Sequence, residues 1–152
     1  MVTVRIRQAR TTDLEYLLGL LQVLFSIEED FHFEATRQRR GLEMMLDRDG
    51  AVILVAEAES RVIGMCSGQL MVSTAEGGFS LLVEDVVVEE EWRGRGVGTA
   101  LLKALEDWAG ERDILRFQLL ADRSNKAGLR FYHNQTWQDT KLVCLCKHPT
   151  DR

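Results

Sequence analysis

The chain has little proline, few cysteines and no long apolar run, and each shortage closes off a class of protein. Its one proline, Pro149, stands in the tail, and no repeat, linker or low-complexity segment interrupts the body of the chain. Three cysteines, Cys66, Cys144 and Cys146, are an odd number without the spacing of a disulfide scaffold, which points to a reducing compartment. The pair Cys144 and Cys146 lacks a second ligand pair. Alternate residues of a strand share a face, so both thiols are expected to pack into the core and no metal is expected. No apolar stretch approaches the roughly 20 residues of a membrane span, and the N-terminus lacks the apolar core of a signal peptide. The expectation is a soluble, cytoplasmic protein with no membrane partner. Basic charge is not in excess either. With 19 Lys and Arg against 24 Asp and Glu, the net charge of −5 argues against a nucleic-acid surface and favours a cationic or neutral substrate.

What is present is one domain's worth of chain. The 152 residues, 45% hydrophobic and 28% charged, suffice for a single domain over 1–152 with a full core. Val2 to Gln8 alternates apolar and polar residues as a half-buried first strand. Thr12-Asp13-Leu14-Glu15 fits a capping box that opens a helix to about Ser26. After an acidic loop with aromatics, a second helix runs from Ala35 to Asp47 and stops at Asp49-Gly50. Ala51 to Ala58 is a continuous apolar run, and so a strand covered on both faces. Val62 to Ser73 is its hairpin partner, in which Gly64 and Gly68 suggest bulges or a close neighbour. Phe79 to Val88 is the next strand, followed by a helix over Val97 to Ala109 with one apolar stripe. Ile114 to Leu120 reads as a strand, Ser124-Asn125 opens a short helix to about His133, and Trp137 to Lys147 reads as a closing strand. The order is β-α-α-β-β-β-α-β-α-β. It implies an α/β (α+β) mixed sheet of six to seven strands with helices on both faces, antiparallel first and partly parallel later. Where the pairing changes, strands can splay and leave a ligand slot.

The stretch from Glu84 to Leu102 concentrates the chemistry. An apolar strand carrying two carboxylates runs into a turn with glycines at 94, 96 and 98, and then into a helix. Glycine lets the backbone approach a ligand, and helix-start N–H groups lack an intrahelical partner, so the turn is built for a phosphate or pyrophosphate. A P-loop would need a lysine where Gly98 is followed by Thr99-Ala100, and a dinucleotide fingerprint would need a different glycine spacing. Arg93-Gly94-Arg95-Gly96-Val97-Gly98 instead fits [QR]-x-x-G-x-[GA] between strand and helix. It resembles motif A of the GCN5-related N-acetyltransferase (GNAT) superfamily. Ser124 to Tyr132 resembles that family's N-x-x-A-x-x-[LF]-Y helix, with Gly128 in the usual alanine place. Thr136-Trp137 stands where the family often has Gly-Phe.

The resemblance implies acetyl-CoA as cofactor and transfer of acetyl to a primary amine of a small molecule or a peptide by direct attack. Of the cofactor-binding turn Arg93, Gly94, Arg95, Gly96, Val97, Gly98 and Thr99, the backbone N–H groups from Arg95 to Thr99 would hold the pyrophosphate, with charge from Arg93 and Arg95. Val86, Val87 and Val88 would pair with the pantetheine arm like an added strand, and a bulge there would aim an N–H at the thioester oxygen. Tyr132 would be the acid that protonates the leaving thiolate, and Asn125 would cap its helix or bond the cofactor arm. An alkyl ammonium must first lose a proton, and Glu84 and Asp85 are the candidate bases. Neighbours on a strand face opposite sides, so both cannot serve unless a bulge intervenes. The run VEDVVV also resembles the corresponding strand of glucosamine-phosphate N-acetyltransferases.

Two readings of the acceptor compete. Glu28, Glu29, Asp30 and Phe31, in the loop between the first helices, suit a cationic, partly apolar amine such as a polyamine, an aminoglycoside or a lysine-like side chain. A sugar phosphate would instead draw on Arg37, Arg39 and Arg40. A different class of function is a non-catalytic acyl-CoA-binding sensor, which would keep the glycine turn and lose the acid and base; all three candidates for those roles are present. The short terminal strand leaves an edge on which a second copy can pair, giving a homodimer.

Overall fold

The computed structural model describes residues 2–28 and 30–150. By internal contacts the chain forms two compact units, 1–119 and 120–152.

The first unit holds a five-stranded sheet in the order β1-β2-β3-β4-β5. Its strands are β1 (Arg5–Gln8), β2 (Ala51–Ala58), β3 (Arg61–Ser73), β4 (Gly78–Val88) and β5 (Arg116–Leu119). The first four pair antiparallel and β5 joins β4 parallel, the mixed arrangement expected from a meander followed by a β-α-β crossover. The β2–β3 hairpin turns on Glu59 and Ser60, both at positive φ, the geometry whose twist matches the strands.

Helices cover both faces. α1 (Leu14–Ile27) and α2 (Ala35–Asp47) place Leu14, Leu17, Leu18, Leu21 and Leu42 against Ile53, Val55, Met65 and Val87. α3 (Val97–Gly110) lies on the opposite side, where the Cys66 thiol reaches the Leu101 carbonyl. Successive residues of β2 are therefore buried on alternating faces, which is why AVILVAEA is apolar without a break. Gly68 has the close neighbour its position suggested, since a Cβ there would stand 3.0 Å from Leu81. The helix start differs from the capping box read at Thr12. A 3₁₀ turn over Thr11–Asp13 leads into α1, and the Asp13 carboxylate accepts from the Arg10 N–H at 2.7 Å. Asp13 and Glu57 also grip the Arg7 guanidinium from two sides, at 2.8 and 2.7 Å, pinning β1 to β2 and to the helix start.

The second unit contains α4 (Lys126–Asn134), capped at its start by Asn125, whose side chain accepts from the Gly128 N–H at 3.0 Å. A Cβ at 128 would stand 2.6 Å from that side chain, which explains glycine where the related motif has alanine. The strand expected over Trp137 to Lys147 is not formed: among the described residues the sheet has five strands, not six or seven. Residues 138–150 are exposed throughout, with Leu142 at 86% and Leu145 at 90%. Cys144 and Cys146 are exposed with them, so the expected core placement of these two thiols does not hold. Alternation of apolar and polar residues supplies a face to bury, but a strand also needs an edge to pair with.

Candidate active site

The site grows from an irregularity in β4. Glu84 stands opposite Ser67 and Val87 opposite Met65, so Asp85 and Val86 together face the single residue Cys66. This is a β-bulge on β4, and Asp85 takes a φ of 54° within it. Left-handed backbone at a non-glycine residue is uncommon, and aspartate is among the side chains that tolerate it best. The bulge breaks the alternation that would send neighbouring side chains apart. Glu84 and Asp85 consequently line one cavity of about 210 Å³, together with Ser67 and Gln69 of β3, Ile53 of β2, Leu21 and Phe25 of α1, and a face of α2 from Arg37 to Met45.

Placement changes the chemistry of both carboxyls. Burial raises Asp85 from the ordinary aspartate range to about 6, and the nearby Glu84 charge adds to the rise. Burial also raises Glu84, against a hydrogen bond from Gln69. Ser67 itself donates to the Glu84 carbonyl at 3.1 Å, tying the bulge to β3. A carboxylate near 6 is still ionised at neutral pH and is a stronger base than an ordinary one.

Downstream of the bulge, β4 keeps β3 as its neighbour while β5 pairs only with residues 80–83. The side of β4 over residues 84–88 therefore has no β5 ladder, which is the splay expected at the change of pairing. The strand then passes through a 3₁₀ turn, Glu90–Trp92, into the glycine turn. Gly94 and Gly96 have φ of 73° and 81°, and a Cβ at either would meet nothing within 4 Å. Backbone conformation, not crowding, requires glycine here, and the space above the turn is open. Gly96 is the N-cap of α3, and the first helical bond runs from the Ala100 N–H to the Gly96 carbonyl. The amides of Val97 and Gly98 thus lie at the positive end of the helix.

The two turn arginines have distinct settings. Arg93 donates from Nε to the Val88 carbonyl at 2.9 Å, closing the turn onto the end of β4. Arg95 lies over the ring of buried Trp92, 4.9 Å from its centroid, which supports the guanidinium beside the turn. Positive φ, an uncrowded surface, helix-start amides and nearby guanidinium charge together fit a pyrophosphate, and the splayed strand fits an extended arm.

Not every residue singled out in the sequence falls in this unit or on this cavity. Asn125 and Tyr132 belong to the second unit, where Tyr132 makes edge contacts with Phe131 and Trp137. Glu28, Asp30 and Phe31 are not lining residues of the cavity; Phe31 stacks on Phe25, which is one. Glu29 lies outside the described residues. Of the three arginines of α2 considered for an anionic acceptor, only Arg37 lines the cavity. Arg39 pairs with Glu15 of α1.

The acetyltransferase (GNAT) family profile matches residues 17–136, and the chain belongs to that family. It is an N-acetyltransferase, as its relatives are named. An uncharacterized N-acetyltransferase of Bacillus subtilis is 26% identical over 145 residues, covering 93% of this chain and 95% of the relative. The thialysine N-epsilon-acetyltransferase of Mus musculus is 27% identical over 146 residues, covering 87% and 82%. Among solved structures, an aminoglycoside N-acetyltransferase in complex with CoA superposes with a TM-score of 0.85 over 99% of this chain and 97% of that one, at 19% identity. No described helix is long and apolar enough to cross a membrane.

Proposed function

We propose that the protein transfers acetyl from acetyl-CoA to the primary amine of a small acceptor bound beside the β4 bulge. The observation that carries this reading is the bulge itself, which gives one cavity two carboxyls of raised pKa. Acetyl-CoA supplies an activated acyl group whose leaving group is a thiolate. The backbone from Gly94 to Thr99 holds its pyrophosphate, with Arg95 contributing charge and Arg93 holding the turn closed. The backbone of Val86, Val87 and Val88 binds the pantetheine arm along the side of β4 that β5 leaves unpaired. The bulged backbone at Asp85 and Val86 offers an N–H to the carbonyl oxygen.

Asp85 accepts the proton of the acceptor ammonium, and Glu84 holds the cation in place. A base near 6 narrows the gap to an amine near 10 compared with an ordinary aspartate, so the transfer is less uphill. Tyr132 is assigned the acid role on the motif alone. CoA-containing and acetyltransferase-named neighbours support the cofactor.

The test is acetyl-CoA turnover followed by thiol release over an amine panel. With an accepted amine, Asp85→Asn should lower kcat about 100-fold or more and remove an acidic limb near pH 6 from the kcat/KM profile. Tyr132→Phe should lower kcat roughly tenfold and leave KM for acetyl-CoA nearly unchanged. CoA binding without turnover of any amine would favour a binding module instead. An unaltered acidic limb in Asp85→Asn would remove Asp85 from the base role.

A further inference from the structure

The cavity beside the bulge carries opposite charges on two different elements. β4 brings Glu84 and Asp85, whereas α2 brings Arg37 with Gln38, and Gln69 of β3 adds a neutral amide. A purely cationic acceptor would gain from the carboxylates and be repelled by the guanidinium. An amine that also bears an acid would use both. We propose, building on the acetyltransferase reading above, that the acceptor carries a carboxylate or phosphate in addition to its amine, and that Arg37 is the residue that selects it.

The chemistry of Arg37 and its present partner supports this. A guanidinium presents a planar fork of donors that matches a carboxylate or phosphate in two-point fashion. Arg37 already holds a carboxylate, that of Glu34 one turn earlier, at 2.6 Å, with both side chains about half exposed. An exposed pair of this kind is weak and exchangeable, so an acceptor's acid can take the place of Glu34. Glu34 is also fixed at its backbone, where its N–H donates to the Gln38 carboxamide oxygen at 2.6 Å.

The experiment compares matched acceptors by thiol release: L-lysine against cadaverine, and glucosamine 6-phosphate against glucosamine. In at least one pair the acid-bearing member should have the higher kcat/KM, by about tenfold or more. Which pair responds tells carboxylate from phosphate. Arg37→Gln should erase that preference by raising KM for the acid-bearing member, while KM for the acid-free cation, no longer repelled by the guanidinium, should hold or fall. Glu34→Gln should act oppositely, lowering KM for the acid-bearing member only. Both side chains are exposed, and thermal melts of the variants should match the parent. Equal kcat/KM within both pairs, or an equal loss for both members in Arg37→Gln, would overturn the inference while leaving the acetyltransferase reading standing. Turnover of other amines but of neither pair would do the same. Absence of turnover with every amine would overturn the acetyltransferase reading and this inference with it.

Discussion

The three thiols occupy two kinds of surroundings, and their reactivity should divide accordingly. Cys66 is fully buried between β3 and α3, and burial pushes its thiol up to about 12. Reaction with an alkylating agent needs both thiolate and access, and Cys66 has neither in the folded state. Cys144 and Cys146 are exposed. Iodoacetamide at neutral pH should therefore label two cysteines in the native protein and three after denaturation in urea, as read by intact mass. Rapid native labelling at Cys66 would mean that the sheet opens beside α3. The residue scale is also where sequence reading was least complete. The glycine turn and the Glu84–Asp85 pair were legible because unusual residue types mark them. Asp13 was not, since an acidic residue at a helix start is commonplace. Its burial follows from Arg7 and Glu57, which lie 6 and 44 positions away in the chain. The same limit applied to the two carboxyls: their types were visible, but the extra residue that turns both toward one cavity exists only in the pairing of β4 with β3.

At the scale of elements, periodicity identified each helix and the strands of the first unit, to within one or two residues for most boundaries. It failed at the closing strand, because pattern reports a face to be buried and says nothing of a free edge. The related motif places glycine where this chain has Thr136, and Thr136 adopts a φ of 71°. It sits in the turn that ends α4, where the Trp137 N–H returns to the Tyr132 carbonyl at 3.1 Å. A helix ended this way calls for a left-handed residue just past the last turn, normally glycine or asparagine. A β-branched residue there is strained, by roughly 1–2 kcal/mol, and glycine would relieve this against its own extra chain entropy of about 0.5–1 kcal/mol. Thr136→Gly should accordingly stabilise the protein by up to about 1 kcal/mol, and Thr136→Val should not. Urea midpoints of the two variants check this. A loss of stability in Thr136→Gly would mean that the threonine side chain makes up for its backbone.

For the molecule as a whole, two aspartates should shape the dependence of stability on pH, in opposite senses and in adjoining windows. The Arg7 guanidinium holds Asp13 below the usual carboxylate range. A carboxyl whose folded pKa is depressed contributes stability that is complete above its unfolded pKa, about 4, and is lost as pH falls through the folded value. Asp85 is raised to about 6, so its contribution runs the other way. It is complete below pH 4 and is lost as pH rises through 6, because ionising a carboxyl in the cavity disfavours the fold. The upper limit of that loss is about 3 kcal/mol, from roughly two pH units at 1.4 kcal/mol each. Asp85→Asn removes the ionisation and should leave a protein that gains stability over its parent between pH 4 and pH 7, most of it by pH 7. Asp13→Asn should cost about 2 kcal/mol at pH 7, since Arg7 loses one of its two carboxylate partners, and the cost should shrink below pH 4. Urea titrations at pH 3, 5 and 8 separate the two. If Asp85→Asn tracks its parent at all three, the raised carboxyl does not weigh on the fold. A gain at pH 8 combined with the predicted loss of turnover would mean that this chain keeps a destabilising charge at the bulge because the reaction requires it.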